Sequence, residues 1–152
     1  MDGLNCYGRT RDVVSIGQGF STLDEVLAVA AAVQDRRVEP DAEPEKGFYF
    51  RSDHFSFVNQ GVPALYAESG VDYRERPAGW GQQRRDRYTS DDYHKPSDHI
   101  KDDWDMAGAI EDVELYLRVT WALSQAEGWP EWKPGSEFKA VREAMLRAAG
   151  GR

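Results

Sequence analysis

Few stretches of this sequence can pair as strands, and that scarcity limits what the chain can fold into. Val13-Val14-Ser15-Ile16 is a β-branched run closed by Gly17 and Gly19, and it predicts a strand. Val62-Pro63-Ala64-Leu65-Tyr66-Ala67 predicts a second, buried strand, with proline at its entry, where a missing donor costs least. Phe48-Tyr49-Phe50 fits either a short third strand or the lead-in to a turn. Two or three strands bury little by themselves, so the sheet is expected to continue into an upstream half.

Between these runs the apolar period becomes helical. Leu23, Val26, Leu27, Ala30 and Ala31 or Val33 recur behind Ser21 or Thr22, with Asp24 and Glu25 in the first turn. They predict an N-capped amphipathic helix over about 22–36. Met106, Ile110, Val113, Leu117 and Trp121, with Leu115 and Val119 beside them, predict a long helix over about 103–126. Gly128-Trp129-Pro130 stops it, and a last helix is expected from Glu137 to Ala148. Ser52-Asp53 fit the N-cap of a short helix carrying Phe55, Phe57 and Val58, with Gly61 ending it. Residues 39–47 form an acidic, proline-punctuated surface loop, and residues 70–93 a long polar stretch without clear periodicity. In a compact domain such a stretch is usually functional. Strands alternating with helices give an α/β fold class.

Composition excludes some function classes. The 152 residues, 40% hydrophobic, fit one globular domain with a real core. A net charge of −8 argues against nucleic acid as a partner, because phosphate binding concentrates Lys and Arg on one face. The densest basic cluster, Arg84, Arg85 and Arg87, is interrupted by Asp86 and is expected to be a solvated loop. Cys6 is the single cysteine, so there is no intramolecular disulfide and no cysteine-only metal site. No apolar run approaches the roughly 18–20 residues of a membrane segment. The chain opens without a signal-peptide pattern, and its abrupt start suggests entry in the middle of a domain; compartment stays open.

Two short tracts carry the chemistry. Tyr93-His94-Lys95-Pro96-Ser97-Asp98 sets an imidazole beside a phenol, with a carboxylate four residues on. Such a His can bind a metal, the acid can accept its other ring N–H, and the phenol can donate to an oxyanion. Ser52-Asp53-His54-Phe55 places a second acid–imidazole pair at a helix start, where Asp53 also fits an ordinary N-cap. His99 receives no role. Ser52 and Ser97 lie near His and Asp residues, but no Gly-x-Ser-x-Gly elbow supports a serine hydrolase. Gly17 and Gly19 lack the rest of a phosphate-binding fingerprint and fit a plain strand-to-helix turn.

Taken in order, Met1-Asp2-Gly3-Leu4-Asn5, Gly8-Arg9-Thr10-Arg11-Asp12, Arg51-Ser52-Asp53-His54-Phe55-Ser56-Phe57, Gly61-Val62-Pro63-Ala64 and the Tyr93–Asp98 tract resemble metallopeptidase family twenty-eight. These are two-zinc aminopeptidases, with carboxypeptidase-like and glutaminyl cyclase relatives. The resemblance covers nearly the whole chain. It implies a three-layer α/β/α zinc-exopeptidase-like sheet, with residues 1–152 as the C-terminal portion of a single catalytic domain, truncated on its N-terminal side. It also implies two zinc ions, a peptide substrate and aminopeptidase-type hydrolysis by a metal-activated water. By position Asp2 and His94 match single-site metal ligands, and Tyr93 matches the phenol that stabilises the tetrahedral intermediate. Asp53 and His54 match the motif lining the site, and Asp98 the acid behind the ligands. Lys95 departs from the threonine that often follows the ligand His. Members of the family are often secreted or periplasmic.

The larger departure is that the family's early His, bridging Asp and Glu-Glu pair all precede the position of Asp2. Catalytic zinc normally takes three protein ligands. Asp2 and His94 normally serve different ions, so zinc binding here is expected to be weak or absent and the short chain inactive. The alternative is a catalytically dead fragment or pseudo-enzyme that binds a partner. A cut sheet would leave an unpaired edge near Val13–Ile16 or Val62–Ala67 and expose helix faces such as Ile110, Val113, Leu117 and Trp121, with self-association as a consequence.

Overall fold

A computed structural model describes residues 4–150, and within it the strand expected near Val13 becomes the centre of the molecule. Strand β1 (Asp12–Ile16) is buried along its whole length. It lies between β2 (Arg37–Pro40) and β3 (Tyr66–Ser69) in a three-stranded sheet of order β2-β1-β3. The β1–β2 pair is parallel, with Asp12 opposite Arg37 and Ser15 opposite Pro40. The β1–β3 pair is antiparallel, with Val13 opposite Ser69 and Ile16 opposite Tyr66. A strand covered on both faces needs no polar alternation, which accounts for the continuous Val-Val-Ser-Ile run.

Adjacent side chains of β1 enter different cores, as the pleat requires. Val13 joins Leu27, Ala30, Ala31, Ala67, Leu115 and Val119, contributed mainly by helices α1 (Leu23–Ala32) and α4 (Ala107–Gln125). Val14 and Ile16 join Tyr49, Val58, Trp132 and Phe138 on the other face, with the short helix α2 (His54–Val58). Helices α3 (Trp80–Asp91) and α5 (Lys139–Gly150) complete the set. No helix among the described residues is long and apolar enough to cross a membrane.

The α/β class therefore holds with a small mixed sheet, while several local expectations need correction. Phe48–Phe50 is a 3-10 turn, because Tyr49 packs edge-on against Phe20, Phe50 and Phe55 instead of entering a ladder. Strand β3 starts at Tyr66, not Val62. Its partner β1 ends opposite Tyr66, and Gly17 at φ +86° turns β1 away, leaving Val62 to Leu65 no ladder partner among the described residues. Residues 39 and 40, expected in a loop, end strand β2; as an edge strand it is largely polar and only Val38 signals it. The stretch expected to be structureless holds α3, whose lack of apolar periodicity reflects a helix held by polar contacts. Arg85 donates to the Ser69 carbonyl at 3.3 Å, and Trp80 packs edge-on against Tyr73 at 5.1 Å. Helix α1 stops at Ala32; of the two expected capping residues, Ser21 Oγ accepts the Leu23 N–H at 3.3 Å, whereas Thr22 Oγ1 accepts from the Glu131 amide.

Gly61 does end α2 as expected. Its N–H bonds Val58 and that of Val62 bonds Phe57, a Schellman closure with Gly61 at φ +80°. A Cβ there would sit 2.7 Å from the Arg142 backbone, so the same glycine lets α5 approach.

The long helix α4 leaves its predicted apolar stripe exposed, as a cut sheet is expected to do, and buries the face beside it. Leu115 and Val119 face the sheet, whereas Ile110, Val113, Leu117 and Trp121 are 51–66% exposed. Asp112 explains the rotation. It bonds the fully buried guanidinium of Arg36 at 2.7 Å and accepts from Ser69. Arg36 also donates to Thr10 Oγ1 and the Asp12 carbonyl. Breaking one side of such a pair leaves a buried charge uncompensated. Arg36→Met is expected to cost about 3–5 kcal/mol in urea unfolding, and the double change Arg36→Met/Asp112→Leu to recover most of it. Equal destabilisation by the single and double variants would show that the pair does not hold the helix.

Candidate active site

The Tyr93–Asp98 tract forms a tight turn that leaves α3. The amides of Asp92 and Tyr93 both bond the Tyr88 carbonyl at 2.9 Å, closing the helix. The chain then reverses at His94, a non-glycine residue at φ +58°. Lys95 N–H returns to the Asp92 carbonyl at 2.9 Å, Asp98 N–H to Lys95 at 3.0 Å, and Ser97 Oγ to the Asp91 carbonyl at 3.0 Å. Left-handed backbone at a side-chain-bearing residue costs energy and persists where its surroundings over-determine it. Here the bonds on either side fix it. The result is that the His94 ring stands out in solvent, stacked on Tyr93 at 3.9 Å. The imidazole is thus exposed and held on the face of a half-exposed phenol.

Asp98 takes a different partner from the one expected. Its carboxylate accepts the Tyr88 hydroxyl at 2.9 Å, and no hydrogen bond links it to His94 among the described residues. Burial, helped by that carboxylate, pushes the Tyr88 phenol up to about 12. Asp98 therefore braces the turn from behind. Beside the turn lies a polar cleft of about 660 Å³, its charged rim including Arg84, Asp92, Lys101 and Asp103. Asp92 pairs with Lys101, and that cation holds its carboxyl below the usual carboxylate range.

Asp2 lies outside the described residues, but the segment that follows it is anchored beside α3. Asn5 donates to the Gly8 carbonyl at 2.8 Å and accepts the Tyr73 hydroxyl at 3.2 Å. Gly8 and Cys6 exchange backbone bonds with Asp105, downstream of the His94 turn. Arg84 donates to the Tyr7 hydroxyl at 2.6 Å and lies over the Tyr7 ring at 4.2 Å. Arg84 and Arg85 were expected to sit in a solvated loop. Instead they sit on α3 and join it to residues 5–8 and to β3, while Arg87 stays exposed and pairs with Asp91. Nothing in the sequence distinguishes Arg84 from its neighbours, since its partner Tyr7 is 77 positions away.

The Asp53–His54 pair sits elsewhere on the sheet. His54 packs against Tyr66, the first residue of β3, at 5.1 Å, whereas Arg85 of α3 reaches Ser69, the last. No hydrogen bond, ion pair or ring contact joins Asp53 or His54 to the Tyr93–Asp98 turn among the described residues. Asp53 occupies the N-cap position of α2, but its side chain makes no capping bond and is exposed. His54 lies between Tyr49 and Tyr66, and both its ring nitrogens are buried without a partner, as is the Tyr49 hydroxyl. Burial alone lowers the His54 pKa.

A lowered value means the folded state prefers the neutral ring while the unfolded chain takes the proton more readily. Stability is therefore full above the ordinary value of 6.5 and is lost as pH falls through it towards the lowered folded value. Thermal melts at about pH 7.5 and 5.5 should show a larger drop for the native chain than for His54→Phe. Equal drops would place the acid sensitivity in other groups.

No three His, Cys, Asp or Glu side chains converge to hold a metal ion among the described residues. The profile of Peptidase family M28 matches residues 1–118, which include the loop after Asp2, the Asp53–His54 helix and the Tyr93–Asp98 turn. No curated protein and no solved structure matches the chain. With more than three quarters of its length matched in order, the chain belongs to peptidase family M28.

Proposed function

We propose that these residues supply the final-histidine side of an M28 catalytic site, with Asp2 and His94 as single ligands of two different zinc ions. The family is one of zinc-dependent peptidases, so the substrate class is a peptide. The observation that carries the reading is His94 itself. It lies within the matched region, and a fixed left-handed turn presents its ring to solvent on the face of Tyr93. The anchoring of residues 5–8 to α3 through Tyr7 and Arg84 supports reading the first motif and the Tyr93–Asp98 tract as parts of one site. Tyr93 is the group assigned to donate to the oxyanion that forms at the scissile carbonyl. Asp98, by fixing Tyr88, is a positioning residue.

The side chains described do not by themselves make a zinc site. Asp2 and His94, on separate ions, would leave each metal with one protein ligand where catalytic zinc takes three. No step of hydrolysis is therefore assigned to this chain alone. The purified 152-residue chain with added zinc should release no nitroaniline from leucine p-nitroanilide above background. Any zinc bound, followed by calorimetry, should be weak and lost in His94→Ala. Chelator-sensitive turnover, or tight zinc binding indifferent to His94, would sink the assignment.

A second reading, a silent domain that binds a partner or a second copy, rests on the exposed stripe Ile110, Val113, Leu117 and Trp121. An apolar patch of this kind marks a contact surface. The net charge of −8 opposes approach, but at physiological salt this repulsion is screened beyond about 8 Å, so only charges close to the stripe oppose its burial. Light scattering after size exclusion should show concentration-dependent association, reduced by Leu117→Glu. A clean monomer at every concentration would end this reading.

A further inference from the structure

A second cavity, of about 620 Å³, lies away from the His94 turn, between the C-terminal half of α4, the turn at Gly128–Pro130 and α5. Its size falls within the roughly 300–1,000 Å³ of small-molecule sites. Its walls are almost wholly apolar, with Leu23, Leu65, Val119, Leu123 and the 84%-exposed Trp129 among them.

One charge lines it. Arg142 of α5 has no ion pair and no side-chain hydrogen bond among the described residues, and no Asp, Glu, Lys or His lines the cavity with it. Its backbone is seated against Gly61, where even a Cβ would collide at 2.7 Å, so the start of its side chain is fixed. In a chain of net charge −8, an unpaired guanidinium facing an apolar chamber selects an anion with an apolar body. Hydrogen-bonding groups are scarce there. The Tyr116 hydroxyl is already used on both the N–H and the carbonyl of Ala67, and Thr120 offers the remaining hydroxyl. An alkyl chain needs no hydrogen-bond partner in such a lining.

We infer that this cavity binds an alkyl monocarboxylate, chain inward and carboxylate on Arg142. The site does not depend on the proposed peptidase role. Seven of the twelve lining residues, from Val119 to Pro130 and Arg142, lie beyond the 118 residues that the family profile matches.

Decanoate titrated below its micelle concentration, followed by tryptophan fluorescence and calorimetry, tests it. The native chain should bind one decanoate saturably, and decanol at least tenfold more weakly. Arg142→Gln, checked by its melting temperature, should weaken decanoate at least tenfold while changing decanol less than twofold. Arg142→Lys should restore part of the loss, and Trp129→Phe should lose most of the fluorescence change. No saturable decanoate binding, or no native preference for acid over alcohol, overturns the proposal even where Arg142→Gln fails to fold. Equal weakening of acid and alcohol by Arg142→Gln overturns the role of the guanidinium.

Discussion

The buried guanidinium of Arg36 decides how the rest of this molecule is assembled. It sits with no side-chain exposure between β1 and α4, bound to Thr10, the Asp12 carbonyl and Asp112. A pair of this kind contributes little net stability, since desolvation offsets most of the attraction. What it does contribute is orientation. Each of two faces of α4 offers four large apolar side chains: Leu115, Tyr116, Val119 and Leu123, or Ile110, Val113, Leu117 and Trp121. Their burial, at about 1.5–3 kcal/mol each, nearly cancels between the two rotations. Turning the helix to the second face would strand Arg36, at about 3–5 kcal/mol, and that difference selects the observed rotation. Ser69, bonded to the same Asp112, then fixes the end of β3 from which the chain runs on to α3.

This explains which parts of the fold were legible in the sequence. Strand β1, helices α1, α4 and α5 and the Gly61 stop follow from apolar period and backbone chemistry, which are local. The choice of face on α4 does not, because it turns on an aspartate whose partner is 76 residues away. Strand β2 was missed since an edge strand with exposed ends carries almost no apolar pattern. Helix α3 was missed for a related reason. It is held by Arg84 on Tyr7, Arg85 on Ser69 and Trp80 on Tyr73, and Gly81 lets it approach the Val71 carbonyl. None of those contacts has a period.

The site was legible in a different sense. Ordered motifs gave the family, and the family profile bears that out over residues 1–118. Motif order does not give geometry, however. The turn at His94 is built by backbone bonds and by Asp98 holding Tyr88, whereas the same motif logic expected Asp98 to support the imidazole directly. His54 likewise follows its motif, yet it packs among aromatic rings at the opposite end of β3 from the residue that ties down α3. Motif residues can share a family role while each is fixed by contacts particular to its own fold.

The segment after the family match is woven into the molecule rather than appended to it. Trp132 is 3% exposed, donates from its indole nitrogen to the Gly61 carbonyl at 2.9 Å, and bridges to Ser21. Phe138 shares its cluster with Val14 and Ile16 of the central strand. A domain boundary drawn where the family similarity stops would cut α4 in mid-helix and unroof one face of the sheet. Similarity and autonomy thus end at different residues in this protein: the shared part of the chain is shorter than the part that must fold together.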